Sequence, residues 1–128
     1  MMHFLFRRFA VILALATGTL VATGFDARAD LRLIMIEQRG CAYCERWNRD
    51  VSEAYANSDE GARAPLERLD LRAPVPEGVT FSSRPVFTPT FILLQNGTEV
   101  GRIEGYLDAA FFWGYLGVLL DKAAPATQ

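Results

Sequence analysis

The strongest constraint in this chain is Gly40-Cys41-Ala42-Tyr43-Cys44, set between an apolar run from Leu31 to Ile36 and a helical pattern that begins at Cys44. The two cysteines are the only ones in 128 residues. A strand that ends in a short turn and opens directly into a helix puts Cys41 at the helix N-terminus, where unpaired amides and the helix dipole favour an anion. The anion available there is a thiolate. Two intervening residues also allow a second thiol, one helical turn on, to attack a mixed disulfide formed by the first. Thiol-disulfide chemistry follows, with Cys41 accessible ahead of the regular turns and Cys44 on the apolar face.

Residues Met1 to Ala29 read as a leader rather than as part of the fold. Arg7 and Arg8 precede an uncharged apolar run from Phe9 to Ala22, and Ala27-Arg28-Ala29 supplies the small residues of a cleavage site before Asp30. The run is shorter than the roughly 20 apolar residues of a spanning helix. The expected product is a soluble periplasmic domain, residues 30–128, whose dithiol is oxidised there unless something keeps it reduced.

Without the leader the chain has ten basic against fourteen acidic residues, a balance that argues against nucleic acid as the partner. The only histidine, His3, goes with the leader. Two cysteines and Met35 are then the only soft ligands, too few for a closed zinc site, and neither metal nor cofactor is expected beyond the cysteine pair. About 99 residues suffice for one small domain with a single core, expected to be monomeric.

Leu31 to Ile36 predicts a buried central strand, and Trp47, Val51, Ala54 and Tyr55 recur at helical spacing after Cys44. The polar stretch Asn57 to Ala64, with Gly61, should break that helix before a second short strand, Leu66 to Leu71. Arg72 to Thr88 carries Pro74, Pro76, Gly78 and Pro85 with no helical period, and predicts an extended loop suited to partner contact. Thr90 to Gln95 and Glu99 to Glu104 then form a hairpin around Asn96-Gly97. Asp108 caps a final helix from Ala109 to about Ala123, with more aromatic residues than one face needs, and a small polar tail follows from Ala124.

This order resembles the thioredoxin and glutaredoxin superfamily across essentially all of the chain after the leader. Two separated motifs carry the resemblance: Cys41-Ala42-Tyr43-Cys44, and Thr88-Pro89-Thr90-Phe91 opening a strand, similar to the superfamily's Thr-Pro segment, where the proline is cis and lies against the redox pair. Gly97 and Gly105 also fall where the superfamily has glycines. The resemblance implies an α/β thioredoxin-like fold: a four-stranded mixed sheet with flanking helices, its crossover helix before the cis-proline strand shortened or replaced by a loop. It implies Thr88, Pro89 and Tyr43 as substrate-binding residues.

Within the superfamily the chain is similar to the small periplasmic thioredoxin-like proteins of bacterial sulfur-oxidation (Sox) systems. Met35 to Cys41, the Pro-rich loop and Gly105-Tyr106 carry that similarity. It implies a reductase that maintains or reactivates the cysteine-bearing Sox sulfur carrier and receives electrons from a membrane thiol transporter. Two departures from ordinary thioredoxins bear on mechanism. Gly40 replaces the tryptophan before the first cysteine, and Met35 replaces the buried aspartate six residues before it. Glu37 is the nearest carboxylate and is the candidate proton relay to Cys44, against the alternative of a solvated strand-end residue. Arg39 either favours the Cys41 thiolate or is an exposed cation. A disulfide-forming oxidant, and a non-catalytic binding module with a structural disulfide, remain the competing functions.

Overall fold

The computed structural model describes residues 29–123. The expected leader, apart from Ala29, and the tail from Ala124 lie outside the described residues. The elements run β1 (Leu31–Glu37), α1 (Ala42–Asp50), α2 (Ser52–Ala56), α3 (Asp59–Arg63), β2 (Leu66–Asp70), β3 (Thr90–Gln95), β4 (Thr98–Glu104) and α4 (Ala109–Ala123). The sheet order is β2-β1-β3-β4, with β1 parallel to β2 and antiparallel to β3.

Strand alternation explains why β1 and β3 are almost wholly apolar. Leu33, Met35, Phe91 and Leu93 face the helices and join the main core, while Ile34, Ile36, Ile92 and Leu94 face the other way and form a second cluster. The main core is built around Trp47, which meets Phe91 and Phe112 at ring distances of 5.1 and 5.5 Å. Burying each such ring contributes roughly 1.5–3 kcal/mol. The Tyr55 hydroxyl donates to the Ala64 carbonyl, and burial, reinforced by the Glu60 charge, holds its phenol above the ordinary range.

Trp47, Val51 and Tyr55 are buried on one side of α1 and α2, as the spacing predicts, whereas Ala54 is exposed. The polar stretch predicted as a break holds the one-turn helix α3, capped by the Ser58 hydroxyl accepting from the Gly61 amide at 2.9 Å. A short capped turn needs no apolar periodicity, so the pattern did not signal it.

No helix or strand intervenes between Asp70 and Thr90. The loop is instead laid over the second face of the sheet, where Val79 and Phe81 pack on the Ile34 cluster. Its far end is stitched to the hairpin: the Thr80 amide donates to the Gly97 carbonyl and the Glu99 amide to the Thr80 carbonyl. Gly97 has φ +83°, and a Cβ there would stand 2.2 Å from the Gly78 carbonyl oxygen, so only glycine fits both the turn and the loop above it. Asp108 caps α4 through its carboxylate, which accepts from the Phe111 amide at 2.8 Å. Phe112, Leu116, Leu119 and Leu120 are buried against β3 and β4, while Phe111, Tyr115 and Val118 remain exposed.

Candidate active site

The C-terminal end of β1 leads into a turn at Gly40, φ +77°, which delivers Cys41 as the N-cap residue of α1. The Cys44 amide donates to Cys41 Sγ at 3.1 Å, and the Glu45 amide to the Cys41 carbonyl at 3.1 Å. Cys41 and Cys44 are joined in a disulfide. Their exposures are 9% and 3%, so the expected inequality is present but Cys41 is more enclosed than an open N-terminus suggests. Tyr43, between them, is 55% exposed, and the Arg46 guanidinium lies over its ring at 5.7 Å.

Register brings the second motif to the same end of the sheet. Ile36 pairs with Thr90, so Thr88 and Pro89 stand beside the turn that follows Glu37. The Thr88-Pro89 bond is cis and Pro89 is buried. Gln38 Nε2 donates to Thr88 Oγ1 at 2.9 Å, while the Gly105 amide donates to the Pro89 carbonyl at 2.7 Å. The Thr90 hydroxyl closes the segment by donating to the Phe87 carbonyl at 2.7 Å. An exposed apolar rim surrounds this end of the sheet: Phe87 on the Thr88 side, and Tyr43 and Leu107 on the side of Arg46, which reaches the Leu107 carbonyl at 3.5 Å. Tyr106 donates to Asp50 Oδ2 at 3.2 Å, and burial together with that bond holds its phenol above the ordinary value.

Glu37 is neither free in solvent nor unpartnered. Its Oε2 accepts from Arg68 Nη1 at 2.7 Å. Arg68 also donates to Asn48 Oδ1 at 2.9 Å, approaches Met35 Sδ at 3.5 Å and lies over the Trp47 ring at 5.8 Å. Glu37, Arg68, Asn48 and both cysteines line one shallow pocket of about 360 Å³. Arg39 lines it too, but is exposed and has no ion-pair partner among the described residues, which favours the plain surface reading.

Three residues beside the pair were not singled out in the sequence: Arg68, Gln38 and Asn48. Arg68 had a signal. In Leu66-Glu67-Arg68-Leu69-Asp70 the alternation puts Arg68 on the same face as Leu66, which packs on the helix-side core, and a cation on a core-facing position invites a function. Among the described residues no group of three or more His, Cys, Asp or Glu could hold a metal ion.

This arrangement has counterparts among solved structures. The chain is similar to the reduced form of the periplasmic thioredoxin SoxS from Paracoccus pantotrophus, with 45% identity and a TM-score of 0.72 over 73% of this chain and 99% of that one. It shares its fold with the thioredoxin Mala s 13 of Malassezia sympodialis, with 15% identity and a TM-score of 0.51 over 70% of this chain and 76% of that one. No protein-family model and no curated protein matches the chain. With the cysteine pair at a helix start, a cis proline at the same end of the sheet and a relative this similar over 99% of that relative's length, the chain belongs to the thioredoxin-like family of SoxS and is a thiol-disulfide oxidoreductase.

Proposed function

We propose that this protein is a periplasmic reductase that maintains or reactivates the cysteine-bearing sulfur carrier of a Sox system. The observation that carries the reading is the 45% identity to a periplasmic SoxS over 99% of that chain, with the cysteine pair in the same fold. Residues 1–29 act as the export signal and 30–128 as the working domain; among the described residues no helix is long and apolar enough to cross a membrane.

In the reduced protein the Cys41 thiolate attacks one sulfur of the partner disulfide, forming a mixed disulfide and releasing the other partner sulfur as a thiolate. The Cys44 amide beside Cys41 Sγ and the start of α1 stabilise that thiolate. Cys44, as thiolate, then attacks Cys41 Sγ, which releases the second partner thiolate and leaves the Cys41–Cys44 disulfide. The partner gains two electrons and the protein loses two. Glu37, held at the mouth by Arg68, takes the Cys44 proton through the shared pocket. Thr88 and Pro89 present an extended edge to the partner backbone, and Tyr43 packs beside it.

A membrane thiol transporter returns the two electrons, because an oxidising compartment otherwise keeps the pair as the disulfide. Thiol-alkylation gel shifts test the direction. The protein should be mostly reduced in cells with the transporter and mostly oxidised without it. A protein found oxidised in both is not serving as a reductase, and the disulfide-forming oxidant or the structural-disulfide module takes its place.

A further inference from the structure

The second face of the sheet carries a pocket that the redox steps do not use. Between this face and the loop 72–88 lies a cavity of about 610 Å³, floored by Ile36, Leu69 and Leu71 and walled by Val75, Val79 and Phe81. That volume is within the roughly 300–1,000 Å³ of built binding pockets. Arg72 and Arg84 also line it, and neither has an ion-pair partner among the described residues; Arg39, Arg46 and Arg63 are unpaired too, but none of them lines this cavity. The one acidic residue in the lining, Asp70, already accepts the Arg72 amide at 2.8 Å. Two arginines against one carboxylate leave an apolar lining with a net positive charge, complementary to an apolar segment carrying negative charge.

Two features make the occupant a polypeptide rather than a small anion. Asp70 lines both this cavity and the pocket that holds Cys41 and Cys44, so the two adjoin. From Pro85 at the cavity wall the chain continues through Val86 and Phe87, 65% and 58% exposed, into Thr88-Pro89. This apolar track leads from the cavity to the redox groove, and only an extended chain covers both. The loop is held in place for this: the Ser82 amide donates to Glu99 Oε2 at 2.7 Å and Arg102 Nη2 to the Ser83 carbonyl at 2.8 Å.

We propose that the cavity docks an acidic, apolar segment of the protein whose disulfide reacts at Cys41, with Arg72 and Arg84 reading its charge; this rests on the oxidoreductase reading above. Three synthetic peptides test it. Each contains one cysteine blocked as the thionitrobenzoate mixed disulfide. One adds a Leu/Phe/Glu segment, one the same segment with Lys for Glu, and one only Gly and Ser; each segment is placed on either side of the cysteine.

Fluorescein-labelled versions with Ser for Cys report binding to the oxidised protein by anisotropy, and thionitrobenzoate release reports reaction with the reduced protein. The acidic peptide should bind and react about tenfold better than the Lys peptide, and Arg72→Glu with Arg84→Glu should abolish or invert that preference while leaving the Gly/Ser peptide's rate unchanged. Equal affinity for the acidic and Lys peptides, or a preference that survives the double variant, overturns the proposal. So does arginine-dependent binding of octanoate without binding of the acidic peptide, which makes the cavity a small-anion site. Charge-selective binding with no thionitrobenzoate release from any peptide upholds the docking site and rejects the redox reading instead.

Discussion

The side-chain amide of Gln38 donates to the hydroxyl of Thr88 at 2.9 Å, joining the turn before Cys41 to the segment before Pro89 across 50 residues of chain. No other side-chain hydrogen bond among the described residues connects these two loops directly. On the proposed function, it sets the width of the groove in which a partner backbone would lie beside Pro89 while its sulfur meets Cys41.

Gln38→Leu and Thr88→Val should therefore lower activity far more than stability. A neutral hydrogen bond of this kind contributes about 0.5–1.5 kcal/mol to folding. A groove held out of register costs about tenfold in rate, because the attacking and attacked sulfurs must align. Urea denaturation and kcat/KM on a protein disulfide give the comparison. Equal losses in both variants on a small, unselective disulfide would show that the bond does not act through the groove.

The order of attack makes a second prediction. With Cys44→Ser the mixed disulfide on Cys41 has no resolving thiol, so a covalent complex with the partner should accumulate on non-reducing gels. Cys41→Ser should trap none. Trapping by Cys41→Ser alone would reverse the assignment of the attacking and resolving cysteines.

Most of the architecture was legible because period and turn chemistry agree. The alternation in β1 and β3, the Asn96-Gly97 turn with φ +51° and +83°, and Asp108 at the start of α4 each signal their element locally. The site was legible only as far as it is local. Cys41 and Cys44 declare themselves by spacing, and Thr88-Pro89 through a resemblance. The Gln38–Thr88 bond and the pairing of Met35 with Arg68 depend on sheet register, which a single chain does not encode in any short window. Glu37 was identified as the nearest carboxylate, but its ion pair to Arg68 was out of reach for the same reason.

That ion pair supports a third prediction. If Glu37 takes the proton from Cys44, Glu37→Gln should slow decay of the mixed disulfide by about tenfold and leave its formation unchanged. The pair is about one-third exposed, so the stability change should stay near or below about 1 kcal/mol. Arg68→Met should cost more, since it also releases Asn48 and the Trp47 face. Rapid-quench single-turnover kinetics separate formation from decay; unchanged decay in Glu37→Gln would make the pair structural.

The last prediction concerns the ion pair that fastens the loop. The Glu99 side chain is only 4% exposed and receives Arg102 Nε and Nη2 at 2.7 Å each, together with the Ser82 amide. Burial works against its charge, but the hydrogen bonds from Arg102 and Ser82 outweigh burial and hold the carboxyl below its ordinary value of 4.5. A carboxylate with a lowered folded-state pKa contributes stability that is fully present above the unfolded pKa and is lost as pH falls through the folded one. Glu99→Gln leaves Arg102 without its counter-charge and should cost about 1–3 kcal/mol near neutral pH. The gap between wild type and variant should hold down to about pH 5 and close progressively below it, because protonated Glu99 then resembles Gln. Urea midpoints measured across that range decide it. A gap that persists unchanged at about pH 3 would show that Glu99 stabilises by packing rather than by its charge.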